Sequence, residues 1–277
     1  MSCLSSSGAV SGAVPGLGLE KISVDVSVIV PVHNEVDNVE PLLGEIRQAL
    51  DGNLDYEVLF VDDGSSDGTA DALVSLQGGF KRLRILRHGN CCGQATAIHS
   101  GVRAARAEWI VTLDGDGQND PADIPNMLSV IRDPDRPDSL HMVIGWRQNR
   151  QDTAFKRFSS KIANGVRSRL LGDSNPDTAC GLKVFNREAF LQLPFFDHMH
   201  RFLAALFQRH GSLVQSIPVN HRQRQRGVSK YGLHNRLWVG IVDMFGVMWL
   251  QRRGRIPQVT EIRPTDKPGA PSSAETG

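Results

Sequence analysis

Asp114 and Asp116, separated only by Gly115, close an apolar, β-rich run in the stretch WIVTLDGDGQNDP at residues 109–121. Two carboxylates presented at a strand end with no bulky residue between them are the donors a hard divalent cation takes. Mg2+ or Mn2+ in such a place keeps open positions for phosphate oxygens. Gln118 is placed to orient or complete that shell. Taken alone, an Asp-Gly-Asp turn is more often only an acidic turn after a buried strand, and its neighbours give it weight.

Two basic tracts supply the opposite charge. Residues 221–236, HRQRQRGVSKYGLHNR, hold four arginines and a lysine with no acid. Such a run is usually solvated, but Gly227 permits close backbone approach and Ser229 and Lys230 donate hydrogen bonds, as in a phosphate clamp. The tract 147–169 sets Arg147, Arg150, Lys156, Arg157, Lys161, Arg167 and Arg169 against the single acid Asp152. Most of these fit the solvated face of an amphipathic helix carrying Phe155, Phe158, Ile162, Val166 and Leu170. Arg157, near the start of that helix, is the one expected to face the site.

The elements that must position these groups read as alternating strands and helices. VSVIVPV at 26–32 is a continuous apolar run suited to a parallel strand buried on both faces, and it ends in His33, Asn34 and Glu35. Val39, Leu42, Leu43, Ile46 and Leu50 recur at helical spacing across 37–50. YEVLFV at 56–61 is a second strand, broken by DDGSSDGT at 62–69, where Ser65, Ser66 and Asp67 are expected to cap a helix. LRIL at 83–86 is a third, followed by an alanine-rich helix over 93–106. A short helix over 123–131, strands at 141–147, 182–185 and 213–219, and a core helix over 202–211 complete the pattern. Three of the strands thus end in Asn-Glu, Asp-Asp and Asp-Gly-Asp. Open α/β sheets bind ligands outside the carboxyl ends of their strands, so these ends predict a nucleotide site in which Asp62 reads a base or ribose donor. Asp177 stands where an acceptor-side carboxylate would, and Cys180 reads as a small buried residue.

Composition narrows the classes further. Over 277 residues, 31 Lys plus Arg balance 30 Asp plus Glu, so no polycationic surface for nucleic acid is expected. Four cysteines without a CxxC pair indicate neither a disulfide framework nor a structural zinc. GNCCG at 89–93 lacks the spacing of a dinucleotide-binding loop. Residues 1–23 read as a disordered leader without secretory features and 251–277 as a disordered tail, around a domain at 24–235. The intervening run LWVGIVDMFGVMWL at 237–250 is too short to span a bilayer and too apolar for an ordinary surface helix. Residues 236–250 are therefore expected to form an interfacial helix, or one packed on the core or at a homo-oligomer interface.

VSVIVPVHNE, VDDGSSDGT, LDGDGQNDP and RQRGVSKY, in that order, resemble family 2 glycosyltransferases with a GT-A fold, in the branch of dolichyl- and polyprenyl-phosphate sugar synthases. The resemblance covers roughly residues 24–250. It implies a Rossmann-like, mostly parallel sheet flanked by helices, with a C-terminal amphipathic helix. It implies Pro31, Asn34, Glu35, Asp62 and Asp116 around a UDP- or GDP-linked sugar, and Asp114, Asp116 and Gln118 around Mg2+ or Mn2+. Arg224, Ser229 and Lys230 would close over phosphates, while Arg147 and Arg157 would hold the phosphate of an undecaprenyl or dolichyl acceptor. It also implies an inverting transfer at the cytoplasmic face of a membrane, with peripheral contact only. Two departures stand out: relatives often carry Asp-Ala-Asp where this chain has Gly115, and Arg-Asn-x-Gly where it has Gly-Asn-Cys-Cys-Gly. Two other readings share the donor site: a glycosyltransferase acting on a hydroxyl, with Asp177 as base, and a non-catalytic nucleotide-sugar-binding module.

Overall fold

A computed structural model describes residues 24–147, 169–172, 175–222 and 233–253, with no side-chain statement for 233–239. Seven strands form one sheet: β1 (Val26–Val32), β2 (Tyr56–Asp62), β3 (Leu83–Arg87), β4 (Trp109–Thr112), β5 (Leu140–Arg147), β6 (Lys183–Asn186) and β7 (Leu213–Val219), in the order β3-β2-β1-β4-β6-β5-β7. All neighbours run parallel except β6, which is antiparallel to both β4 and β5. The expected α/β sheet is therefore present, and β1 and β2 are buried along their whole length, as their unbroken apolar runs require.

Helices cover both faces. On one side α1 (Val36–Leu50), α2 (Thr69–Gln77) and α4 (Ile124–Arg132) contribute Val39, Leu42, Leu43, Ile46, Leu73 and Met127 to the core. Those α1 positions are the ones the helical spacing picks out, each contributing roughly 1.5–3 kcal/mol on burial. On the other side lie α3 (Gln94–Ala104), α5 (Arg187–Leu191), α6 (Leu203–Arg209) and α7 (Leu233–Arg253). The small residues of α3 bring it close to the sheet: a Cβ on Gly101 would stand 2.6 Å from Ile29 Cγ2.

Boundaries differ from expectation where polar groups join an element. β6 is displaced by one residue and starts on a buried lysine, Lys183. The segment after Asp120 opens as a 3-10 turn, Pro121–Asp123, because the Asp120 carboxylate accepts the Ala122 N–H. Of the three residues expected to cap α2, only Asp67 caps the helix start, its carboxylate accepting from Thr69 N–H and Oγ1. Ser65 and Ser66 instead bond to Asn34 across the sheet end.

The C-terminal helix exceeds its apolar run at both ends, so Gln251–Arg253 are helical rather than part of a tail. Met244, Val247, Met248 and Leu250 pack into the core while Val242, Phe245 and Trp249 are exposed. Asp243, which interrupts the apolar run, sits 3.2 Å from His198 Nδ1. No described helix is long and apolar enough to cross a membrane. The leader 1–23 and residues 254–277 lie outside the described residues.

Candidate functional site

The carboxyl ends of β1 and β2 are tied to each other. Asn34 adopts φ 54°, a left-handed conformation asparagine tolerates, and its N–H donates to Ser65 Oγ while its Oδ1 accepts from the Ser66 N–H. Glu35 starts α1, its N–H bonded to Thr69 Oγ1 and its Oε2 accepting from Asn38. Pro31 is buried in the strand opposite Val61. Asp62 departs from the picture of an open acceptor. It is fully buried, Oδ1 accepts the Ser65 N–H, and Oδ2 lies 3.2 Å from Arg87 Nε. As seen, its charge shapes the turn that carries Ser65 and Ser66.

Asp63 does the same for the 88–93 loop. Its Oδ1 accepts from the Cys92 N–H at 2.9 Å and lies 2.7 Å from His88 Nδ1, and its Oδ2 accepts from the Gly93 N–H at 2.8 Å. Burial alone would raise its pKa, but these donors outweigh burial and hold the carboxyl below the ordinary carboxylate value. A pKa depressed by folding gives stability that is complete above the unfolded value and fades as pH falls through the folded one. Asp63→Asn should therefore cost about 2–3 kcal/mol at neutral pH, the scale of a bond to a charged group, and progressively less below pH 4. Urea midpoints for both proteins at neutral and acid pH measure this. A gap that does not close with acid would remove the carboxylate from the explanation.

One ligand atom each from Asp63, His88 and Cys92 lies within 4.8 Å of the others. That set mixes sulfur, nitrogen and oxygen, suited to zinc rather than to Mg2+ or Mn2+, and the Asp63 oxygens are already committed. The hard-oxygen pair at the end of β4 is the better fit. Asp114, Asp116 and Gln118 are all partly exposed. Asp114 is aimed by its neighbours: Gln94 Nε2 donates to Oδ1 at 2.7 Å, Asn119 Oδ1 accepts the Asp114 N–H, and a Cβ on Gly181 would collide with the carboxylate. Asp116 Oδ1 accepts the Gln118 N–H. Gly115 has a packing reason, since a Cβ there would stand 2.6 Å from Val32 Cγ1 and 2.9 Å from Pro31 O. Alanine at this place would crowd β1.

The start of the basic run docks on this same loop. Asn119 and His221 form an antiparallel bridge, and the Arg222 N–H donates to Gln118 O. Arg222 itself pairs with Glu45 and Asp120, so the acid missing from the run is supplied by distant segments. Arg224, Ser229 and Lys230 lie outside the described residues, as does Arg157.

Arg147 is paired within the chain. Its Nε and Nη2 donate to the two oxygens of Asp177 at 2.6 and 2.8 Å, and both side chains are largely buried. A two-pronged bond of this kind braces the end of β5 against the segment that carries Asp177. Cys180 is buried as expected, its pKa raised by burial. The residues that sequence reading missed are Gln94, Lys183 and His200. Lys183 is buried on β6, its Nζ donating to Cys180 O, and it is an electrostatic neighbour of Asp114 and Asp177. A lysine inside the short apolar run LKVF was the available signal.

The sequence profile described as Glycosyl transferase family 2 matches residues 27–193. A dodecaprenyl-phosphate galacturonate synthase of Rhizobium johnstonii is 35% identical over 237 residues, covering 83% of this chain and 68% of the relative. An undecaprenyl-phosphate 4-deoxy-4-formamido-L-arabinose transferase of Edwardsiella ictaluri is 34% identical over 212 residues, covering 75% and 63%. The chain thus spans about two thirds of the length of these curated relatives. Among solved structures, a mannosyltransferase of Pyrobaculum calidifontis in complex with GDP-Man and Mn2+ superposes with TM-score 0.62 at 22% identity, over 85% of this chain and 66% of that one. Glucosyl-3-phosphoglycerate synthase of Mycobacterium tuberculosis with Mg2+ and UDP gives 0.61 at 18%, over 86% and 82%. Fold, strand-end carboxylates and sequence identity agree: the chain belongs to glycosyl transferase family 2 and has the GT-A architecture.

Proposed function

We propose that this glycosyltransferase moves a sugar from a UDP- or GDP-linked donor to a polyprenyl phosphate with inversion at the anomeric carbon. The observation that carries the reading is the aimed pair Asp114 and Asp116 in a chain 35% identical to a dodecaprenyl-phosphate galacturonate synthase. Pro31, Asn34, Glu35 and the turn organised by Asp62 would line the nucleotide. Asp114, Asp116 and Gln118 would hold Mg2+ or Mn2+, which neutralises charge developing on the leaving nucleoside diphosphate. Arg224, Ser229 and Lys230 would close over phosphate oxygens, with Arg157 on the acceptor side. A phosphate monoester is already largely ionised at neutral pH, its second pKa being about 6, so it attacks without a protein base. That suits a site in which Asp177 is clamped by Arg147.

A polyprenyl phosphate stays in its bilayer, so the enzyme must reach the headgroups. The exposed Val242, Phe245 and Trp249 on α7, with Arg252 and Arg253 at its end, suit peripheral contact with an anionic leaflet. We place that contact on the cytoplasmic face, where nucleotide sugars are made. The test is incubation with UDP- and GDP-sugars on anionic vesicles containing undecaprenyl phosphate. A lipid-extractable sugar phosphodiester, with protein floating alongside the vesicles, is expected. Donor consumption without lipid product would move the acceptor to another class, and protein left unfloated would remove the α7 contact.

A further inference from the structure

The turn Asp197–Arg201 lies against α3 and α7, and the Arg201 guanidinium in it is not used by the fold. Arg201 is half-buried, yet among the described residues its guanidinium has neither an ion pair nor a hydrogen bond, whereas Arg84, Arg147, Arg187 and Arg222 each hold a carboxylate. Its Nη1 faces Gly240 of α7, where even a Cβ would be 3.8 Å away. His200 Nδ1 is shut off from solvent with no hydrogen-bond partner. The nearby acids are directed to His198: Asp197 of the turn stands 3.6 Å from its Nε2 and Asp243 of α7 3.2 Å from its Nδ1. Burial first, then the charges of Lys183, Arg201 and His198, push the His200 pKa down to about 3, so its ring is neutral.

The turn is also near the expected chemistry. It packs against α3, whose first residue Gln94 holds Asp114, and Asp197 Oδ1 lies 3.3 Å from where a Cβ of Gly93 would be. Lys183 is an electrostatic neighbour of both His200 and Asp114. A half-buried guanidinium without a carboxylate partner among the described residues fits a dianion better than any neutral group, because it grips phosphate with two parallel bonds.

We propose that Arg201, with His200 beside it, receives the phosphate of the acceptor; this rests on the proposed phosphate-ester acceptor class. Arg201 takes over the duty that Arg147, clamped to Asp177, does not serve. The test measures binding of geranyl phosphate, a short polyprenyl monophosphate, to the full chain by calorimetry, beside binding of UDP and GDP with Mn2+. Arg201→Ala should weaken geranyl phosphate at least about tenfold, the scale of one charge-assisted bond, and leave nucleotide affinity within about twofold. Arg201→Lys should recover part of the loss. Should Arg201→Ala fail to fold by thermal melting, His200→Gln carries the same comparison. Geranyl phosphate bound equally by wild type and variants, or not bound by wild type, overturns the pocket. Lipid-linked product from wild type with unchanged variant affinity sinks only the pocket. Lost variant affinity in a protein that makes no lipid product keeps the pocket and sinks the acceptor class.

Discussion

Asp116→Ala should lose at least about a thousandfold in turnover while the fold survives. A cation that offsets charge on a leaving group contributes several kcal/mol, and about 4 kcal/mol corresponds to a factor of roughly 10³ in rate. The side chain is only partly buried, and its carboxylate accepts the Gln118 N–H two residues on, a local turn contact whose loss is cheap in stability. Thermal melting should therefore move by no more than a few degrees. Titration with Mn2+, followed by the resonance of the free ion, should show the high-affinity site weakened in the variant. Wild-type turnover by Asp116→Ala, or by the native protein in excess chelator, would move the chemistry away from these carboxylates.

The strand ends were legible because parallel strands buried on both faces leave long apolar runs, and the polar residue that stops each run is by construction at the ligand edge. Asn34, Asp62, Asp63, Asp114 and Asp116 all follow from that. Partnerships across the fold were not legible. Arg147 looked like a free cation because its acid is thirty residues away. Asp62 looked like an open acceptor because Arg87 is brought to it by the β2–β3 pairing, Asp62 lying directly opposite Arg87. The antiparallel insertion of β6 between β4 and β5 leaves no mark in its short run, and with it went the burial of Lys183. The length of α7 escaped because its ends are polar, His234, Asn235 and Arg236 at one and Gln251–Arg253 at the other, so an apolar run stops short of the helix. Domain limits at 23, 235 and 250 were drawn from composition, and the last two fall inside α7.

Gly181→Ala should lose about a hundredfold in turnover although it touches no proposed ligand contact. Its backbone is not among those with positive φ, so glycine is not needed there for conformational freedom. What it supplies is room: all three carboxylate atoms of Asp114 lie where a methyl group would go, the farthest of them 2.6 Å from the Cβ position. The loop cannot easily retreat, because Thr112 Oγ1 donates to Gly181 O and the strand continues directly into buried Leu182 and Lys183. Asp114 must then turn, breaking its bond from Gln94, and a displacement of about 1 Å in a positioned group costs on the order of 10²-fold. Gly44→Ala, with nothing within 4 Å of its Cβ position, is the matched control and should leave turnover unchanged. Melting temperature separates loss of aim from loss of fold, and the Mn2+ titration should weaken in step with turnover. A Gly181→Ala enzyme with native turnover and native Mn2+ affinity would mean that the orientation of Asp114 seen here is not the one the chemistry uses.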